Sequence, residues 1–323
     1  MNTDSNARQP MYNAKKIRQN YTRIYIITTM LCLTLVALAA MTFLYLSRDV
    51  YQNDDSIVAN PPYNGQNDDN GEIDDNDPTT GRVTQVDRAN SYVGRGPLLL
   101  INEDNPFDPR GAQNIIPMTG NAAITFNRND HSLNRYAMEA LDALSLAFRQ
   151  QFPGEIIMIV LQSYTGIDFE NHENDRTSGL TVGMQFWNTA TQVGFHFNHG
   201  AMQERYNWVV ENAPHFGLIQ RFPPHRSGAT GVSYNLPGHF RYVGIPHALH
   251  ISHNNLVLEE YISQLRNYHN FNSRLVIEHD DQSWEVYFVP AFNGTSTSIH
   301  VPVDAMYDIS GNNVDGFIVT IAN

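Results

Sequence analysis

The sequence predicts an α+β protein: helices packed on a mostly antiparallel sheet, a small C-terminal β-rich module, and one N-terminal transmembrane helix. Three observations carry this prediction. Segments in the middle of the chain place apolar residues at helical spacing, next to a continuous apolar run of strand length. From Ser273 onward the pattern changes to period two. Near the start, Ile24–Leu46 contains no charged residue and has the roughly 20 residues needed to cross a hydrocarbon core.

The N-terminal span has an orientation. Arg8, Lys15, Lys16, Arg18 and Arg23 precede it against Asp4 alone, so the tail of residues 1–23 is expected in the cytoplasm and the bulk outside. A cleavable signal peptide fits less well. The apolar run exceeds the usual h-region, and Phe43-Leu44-Tyr45-Leu46 follows Ala39-Ala40 where a cleavage site would close it. The expected location is the cell membrane, single-pass, with residues 24–46 as a retained anchor.

Residues 47–90 read as an acidic disordered linker. Nine of the thirteen net negative charges come from Asp49, Asp54, Asp55, Asp68, Asp69, Glu72, Asp74, Asp75 and Asp77, a stretch without Lys or Arg. So few apolar residues cannot offset chain entropy, and like charges extend the tether. Calcium-loop spacing is absent. The single cysteine, Cys32, lies inside the span, so the exported part relies on its core and not on disulfides. At 323 residues and 41% hydrophobic, that core can be sizeable. No basic cluster follows the short tail, which excludes nucleic-acid binding.

Within the exported part, Gly94–Asn102 reads as an entry strand, followed by turn signals at Asn105-Pro106 and Asp108-Pro109. His131–Gln151 spaces Leu133, Ala137, Leu141 and Leu144 as a helix and stops at Phe152-Pro153-Gly154. Ile156–Ser163 is a central strand. Gln203–Phe216 and Leu256–Tyr268 are two further helices. The period-two runs RLVIEH, WEVYFVP, SIHVPV and GFIVTIA predict hairpins in a module of residues 271–323, separate from a domain of residues 91–270.

One segment carries more than a fold prediction. Tyr234–Gly244, YNLPGHFRYVG, resembles the E-P-W-H-x-R-Y-V-G signature of VanY-type D-alanyl-D-alanine carboxypeptidases, in the lysostaphin/carboxypeptidase/hedgehog group of zinc peptidases. Tyr206–Pro223 is similar to that family's W-L-x-x-N-A-x-x-F-G-F-x-x-R-Y-P, and Thr230-Gly231, Ile245–Ala248 and Leu258–Ile262 complete the neighbourhood. The resemblance covers about Gly94 to Tyr268. It implies a hedgehog/D-Ala-D-Ala carboxypeptidase-like fold, a peptidoglycan context, and zinc held by a His and an Asp of S-x-H-x-x-G-x-A-x-D together with the His of E-P-W-H.

At those positions the chain departs from the family. His239 is the residual ligand, but Asn174–Gly183, NDRTSGLTVG, puts Arg176 and Gly183 where the other two ligands belong. A catalytic zinc needs three protein ligands and an open position for its water, so no cofactor is expected. The general-base position falls on Leu236, counting back from His239, or on Asn235, counting forward from Tyr234. Neither accepts a proton. The Arg of the family's S-G-Y-R-S, which grips the substrate's terminal carboxylate, is Thr165 here. His172 and Glu173, with Asp175, offer a rebuilt ligand set with His239, which would restore an active zinc D,D-carboxypeptidase. His196, His199, His250 and His253 have no carboxylate at ligand spacing and read as surface or loop residues, and His247 as a packing residue. Arg176 with His239 and Arg241 is expected in the former metal cleft, where a guanidinium can take a carboxylate bidentately. The expectation is a pseudoenzyme that binds a stem peptide or an envelope protein.

Overall fold

The strand that opens the described part of the chain also closes its far end. In the computed structural model, which describes residues 83–167, 174–231 and 236–323, β1 (Val83–Ala89) pairs antiparallel with a strand more than two hundred residues away, Ser296–Pro302. Residues 83–89 were expected in the linker. They form a strand because Val83 and Val86 pack on the apolar cluster of Ile299, Val301 and Phe317. The predicted entry strand Gly94–Asn102 is no regular strand. Its Leu98, Leu99, Leu100 and Ile101 are nevertheless buried.

Short strands β2 (Ile115–Pro117), β3 (Ile124–Phe126) and β4 (Ser132–Asn134) lead into helix α1 (Arg135–Gln151). Asn134 caps that helix by accepting from the Tyr136 amide at 2.9 Å. The apolar stripe of α1 buries Ala137, Met138, Leu141, Leu144 and Phe148. Against it lies a six-stranded sheet in the order β3-β5-β6-β9-β8, with β7 on β6. Its strands are β5 (Ile156–Gln162), β6 (Thr181–Asn188), β7 (Val193–Phe195), β8 (Leu218–Gln220) and β9 (His239–Tyr242). Only β3–β5 is parallel. Helix α2 (Gln203–Asn212) precedes β8. A four-residue helix α3 (Ser227–Thr230) comes before β9, and α4 (Ile245–His253) and α5 (Leu258–Leu265) follow it.

Side chains alternate across a strand, and this divides the sheet. Met158, Val160, Val182, Met184, Phe186 and Phe240 turn toward α1 and make the main core. Thr181, Gly183, His239 and Arg241 lie on the opposite face, since Thr181 stands opposite Arg241 and Gly183 opposite His239.

The C-terminal strands β10 (Leu275–His279), β11 (Gln282–Pro290), β12 (Ser296–Pro302), β13 (Met306–Gly311) and β14 (Gly316–Ala322) follow the period-two pattern. Four of them form a sheet in the order β10-β11-β14-β13. They are not a separate module. Leu275, Ile277, Val286, Phe288 and Ile318 share one buried cluster with Leu98, Ile219, Val243, Leu258, Tyr261 and Leu265, and all described residues belong to one compact unit. His247 bridges the two parts: one ring nitrogen meets the Tyr261 hydroxyl at 2.6 Å and the other the Thr320 hydroxyl at 3.0 Å.

Among the described residues no helix is long and apolar enough to cross a membrane; the anchor at residues 24–46 lies outside them.

Two outcomes follow from this packing. Deleting Ser273–Asn323 removes five of the fifteen buried residues of the shared core, so the remainder is expected to lose its cooperative thermal transition in circular dichroism. His247 gives a pH signature. Burial, with a smaller contribution from His250, holds its pKa down at about 3. Below the ordinary pKa of about 6.5 the unfolded chain takes up a proton that the folded chain refuses, so stability falls with pH by up to about 1.4 kcal/mol per unit from this group. Urea titrations from pH 7.5 to 4 on the wild type and on His247→Gln should show the smaller slope in the variant.

Candidate functional site

The site is built on a buried carboxylate. Asn174 caps a short 3-10 turn, Asp175–Ser178, and accepts from the Arg176 amide at 3.1 Å. Gly179 ends the turn at φ 74°, and a Cβ there would lie 2.2 Å from Ile115 Cδ1, so only glycine fits. This tight turn sends two neighbouring side chains in different directions. Asp175 points inward and is 3% exposed. Its Oδ2 accepts from Thr181 Oγ1 at 2.7 Å and from Arg221 Nε at 3.2 Å, and its Oδ1 accepts from Arg241 Nη1.

Both arginines are buried, with side chains 0% exposed. Arg221 forms a bidentate pair with Glu259 at 3.0 and 2.6 Å. Burial opposes its charge, but Asp175 and Glu259 outweigh that and raise its pKa. Arg241 also donates to the carbonyls of Leu99 at 2.9 Å and Pro97 at 3.2 Å. The sequence prediction for Arg241 is thereby corrected: it lies under the sheet face as a structural ion and not in a ligand cleft, because its donors are taken by Asp175 and the backbone.

Two residues along β9 the face opens. His239, half-buried, stands opposite Gly183, and a Cβ on Gly183 would come within 3.0 Å of His239 Nε2. Beside both is Gln162, whose Oε1 lies 2.9 Å from that same nitrogen. A β-bulge brings it there. Val160 pairs with Met184 but Gln162 pairs with Gly183, so two residues of β5 answer one of β6 and Gln162 is turned onto the site face. Phe222 flanks the imidazole at 6.1 Å between ring centroids. Burial and the Arg176 charge hold the His239 pKa at about 4, against opposing contributions from Asp175 and the Leu236 carbonyl. The imidazole is neutral at pH 7.

Of the sequence-predicted site residues, Gly183 and His239 are therefore in contact, and Arg176 is near enough for its charge to act on His239. Arg176 is half-buried and its Nε donates to Asn174 Oδ1 at 3.1 Å. Leu236 supplies its carbonyl to the His239 amide at 3.1 Å; its side chain offers no base. Thr165 is exposed beyond the end of β5. His172, Glu173 and Asn235 lie outside the described residues. His196 is exposed, with Nδ1 3.0 Å from Gln185 Nε2, and His199 accepts from the Ala201 amide.

The described residues do not fit a catalytic zinc. One imidazole, already bonded to an amide, faces a glycine and a cation, and no group of three His, Cys, Asp or Glu among the described residues is arranged to hold a metal. Arg221, Glu259 and Gln162 were missed as site-forming residues, and Asp175, expected in a rebuilt ligand set, instead neutralises two buried arginines. A signal existed for the buried charges: Arg241 sits in a short apolar strand and Arg221 directly follows one, and a charge there demands a buried partner. Gln162 had none, since a bulge shifts its facing by one residue.

Comparison with known proteins now has a geometry to refer to. The family model of VanY D-alanyl-D-alanine carboxypeptidases matches residues 172–245, from the turn at Asp175 through β9. A D-alanyl-D-alanine carboxypeptidase of Enterococcus faecium is 28% identical over 264 residues, 76% of this chain and 82% of that protein. The chain is thus similar to VanY-type D-alanyl-D-alanine carboxypeptidases across the segment that carries the site. A second such enzyme, from Enterococcus faecalis, is 49% identical over 65 residues, 24% of its length. The solved vancomycin-resistance D,D-dipeptidase VanXYg, in complex with a D-Ala-D-Ala phosphinate analogue, superposes with a TM-score of 0.61 at 22% identity. It covers 75% of this chain and 100% of its own.

Asp175→Asn should test the buried network. It leaves two guanidinium groups without their shared carboxylate, and breaking such a pair costs about 3–5 kcal/mol. Urea unfolding of variant and wild type at pH 7.5 measures the loss.

Proposed function

We propose that this VanY-like protein is a membrane-anchored pseudoenzyme that binds a peptidoglycan stem peptide without hydrolysing it. The likeness to that family supplies the cell-wall context. The observation that carries the loss of chemistry is the pairing of His239 with Gly183 and Gln162: where a peptidase of this kind needs two further ligands and a carboxylate base, the chain has a glycine, a neutral amide and the aliphatic Leu236. The ligand class is read from charge. Arg176 raises the local positive potential beside a neutral imidazole, an arrangement suited to the C-terminal carboxylate of a peptide. The relatives act on D-alanyl-D-alanine by name, and the same ending is proposed for the peptide bound here. The uncharged run Ile24–Leu46, with its basic flank, supports a single-pass anchor with the cytoplasmic end first.

The test uses the purified full-length protein in detergent and a pentapeptide ending in D-Ala-D-Ala. Saturable binding with no free D-alanine released, and no stoichiometric zinc by elemental analysis, is the expected result. Arg176→Ala should weaken binding by about tenfold or more, the loss of one charge-assisted hydrogen bond. Release of D-alanine, or zinc near one per chain, would sink the proposal and point to the rebuilt set with His172 and Glu173. Absence of peptide binding would shift it to an envelope-protein partner.

A further inference from the structure

We infer that Gln162 is a built-in replacement for the family's metal, an exposed amide plug that caps the His239 ring nitrogen and holds the ligand position without an ion. The inference rests on the non-hydrolysing reading above and adds to it a residue and a device.

Three independent features of the chain converge on this one side chain. The first is the bulge in β5, which places Gln162 opposite Gly183 where a regular ladder would place Leu161. An apolar side chain there could not satisfy the imidazole; the extra residue turns an amide toward it. The second is the contact, 2.9 Å between Gln162 Oε1 and His239 Nε2. An amide suits either tautomer of a neutral imidazole: Oε1 accepts from Nε2–H, or the flipped amide donates to a bare Nε2. The third is the space. A Cβ at Gly183 would meet Gln162 Cβ at 3.1 Å and Gln162 Oε1 at 3.2 Å, as well as His239 Nε2 at 3.0 Å. A side chain at 183 would therefore crowd both Gln162 and His239, and Gln162 must give way by a few tenths of an ångström or more to admit one.

An ion in such a pocket would fix the imidazole and draw neighbouring strands together. The plug does the same with an uncharged hydrogen bond across β5, β6 and β9. It also takes up the nitrogen that a metal would use, so a lone imidazole is not left open to stray divalent ions. Metal-independence then becomes a property of the fold, and recognition of a peptide at this face does not follow zinc supply.

A coupling experiment tests this crowding directly. Gly183→Asp, Gln162→Ala and the double variant are made in the full-length protein, and their thermal midpoints and Co²⁺ absorption are recorded with and without EDTA. The wild type should show no cobalt band and no change in midpoint with metal or chelator. Gly183→Asp alone should lower the midpoint by about 5 °C or more, or fail to fold. Adding Gln162→Ala should recover much of that loss, with no cobalt band, since His239 and one introduced carboxylate remain two ligands beside a cation. The inference is overturned if Gly183→Asp costs the same with and without Gln162, or if the wild type binds cobalt through His239. The proposed function fails on different readings, D-alanine release or lack of peptide binding, so midpoint coupling separates the two failures.

Discussion

A single carboxylate, Asp175, organises this protein by holding two guanidinium groups that have no access to water. Arg241 reaches it from β9 and Arg221 from the end of β8, and Glu259 at the start of α5 completes the neutralisation of Arg221. Four charged groups from distant parts of the chain, with the carbonyls of Leu99 and Pro97, are thereby tied into one buried cluster. Such a network is strongly conditional. Complete, it roughly balances the desolvation of its ions; with one member gone, the others become uncompensated charges in a low-dielectric interior. The turn Asp175–Ser178 must then take one conformation, and that conformation keeps Arg176 within electrostatic reach of His239.

The distribution of what the family fold keeps and what this chain has changed follows from that constraint. Arg221, Arg241 and Glu259 belong to the runs that match the family, and each is needed for the interior to be electrically balanced. Arg176 and Thr165 stand at the edge or outside it, where substitution leaves no buried charge behind. Gly183 is buried but lost a side chain instead of gaining a charge, and Gln162 fills the space beside it. The groups that hold the sheet face together are therefore not those that the proposed loss of chemistry touches.

The C-terminal strands enter the same logic from the other side. Arg241 and Arg221 are covered by the segment around Leu98–Ile101, which is itself packed against Val286 and Ile318 of the C-terminal sheet. The Leu100 amide donates to the Asn312 carbonyl at 3.0 Å, and Ser310 Oγ accepts from the Leu98 amide. The sheet formed by β10, β11, β13 and β14 is thus the outer wall of the ion network. β1 on β12 fastens the incoming chain to that wall.

Much of the fold was legible in the sequence because apolar periodicity reports burial directly. The stripe of α1, the continuous run of β5 and the alternation from Leu275 to Ala322 each announced their element, and the HFRYVG segment announced the family. Periodicity reports which face is buried but not against what, so the C-terminal strands read as an appendage and Val83–Ala89 as linker; their partners are more than two hundred residues apart. The substitutions at Arg176, Gly183, Leu236 and Thr165 were also visible, since they are read position by position. What only the tertiary structure decided was where charges and bulges fall. It put Arg241 beneath the site and not in it, made Asp175 the centre, and brought Gln162 onto His239 by one extra residue in β5. Pairing energies and strand register are properties of two segments at once, and a single chain read along its length contains only one of them at a time.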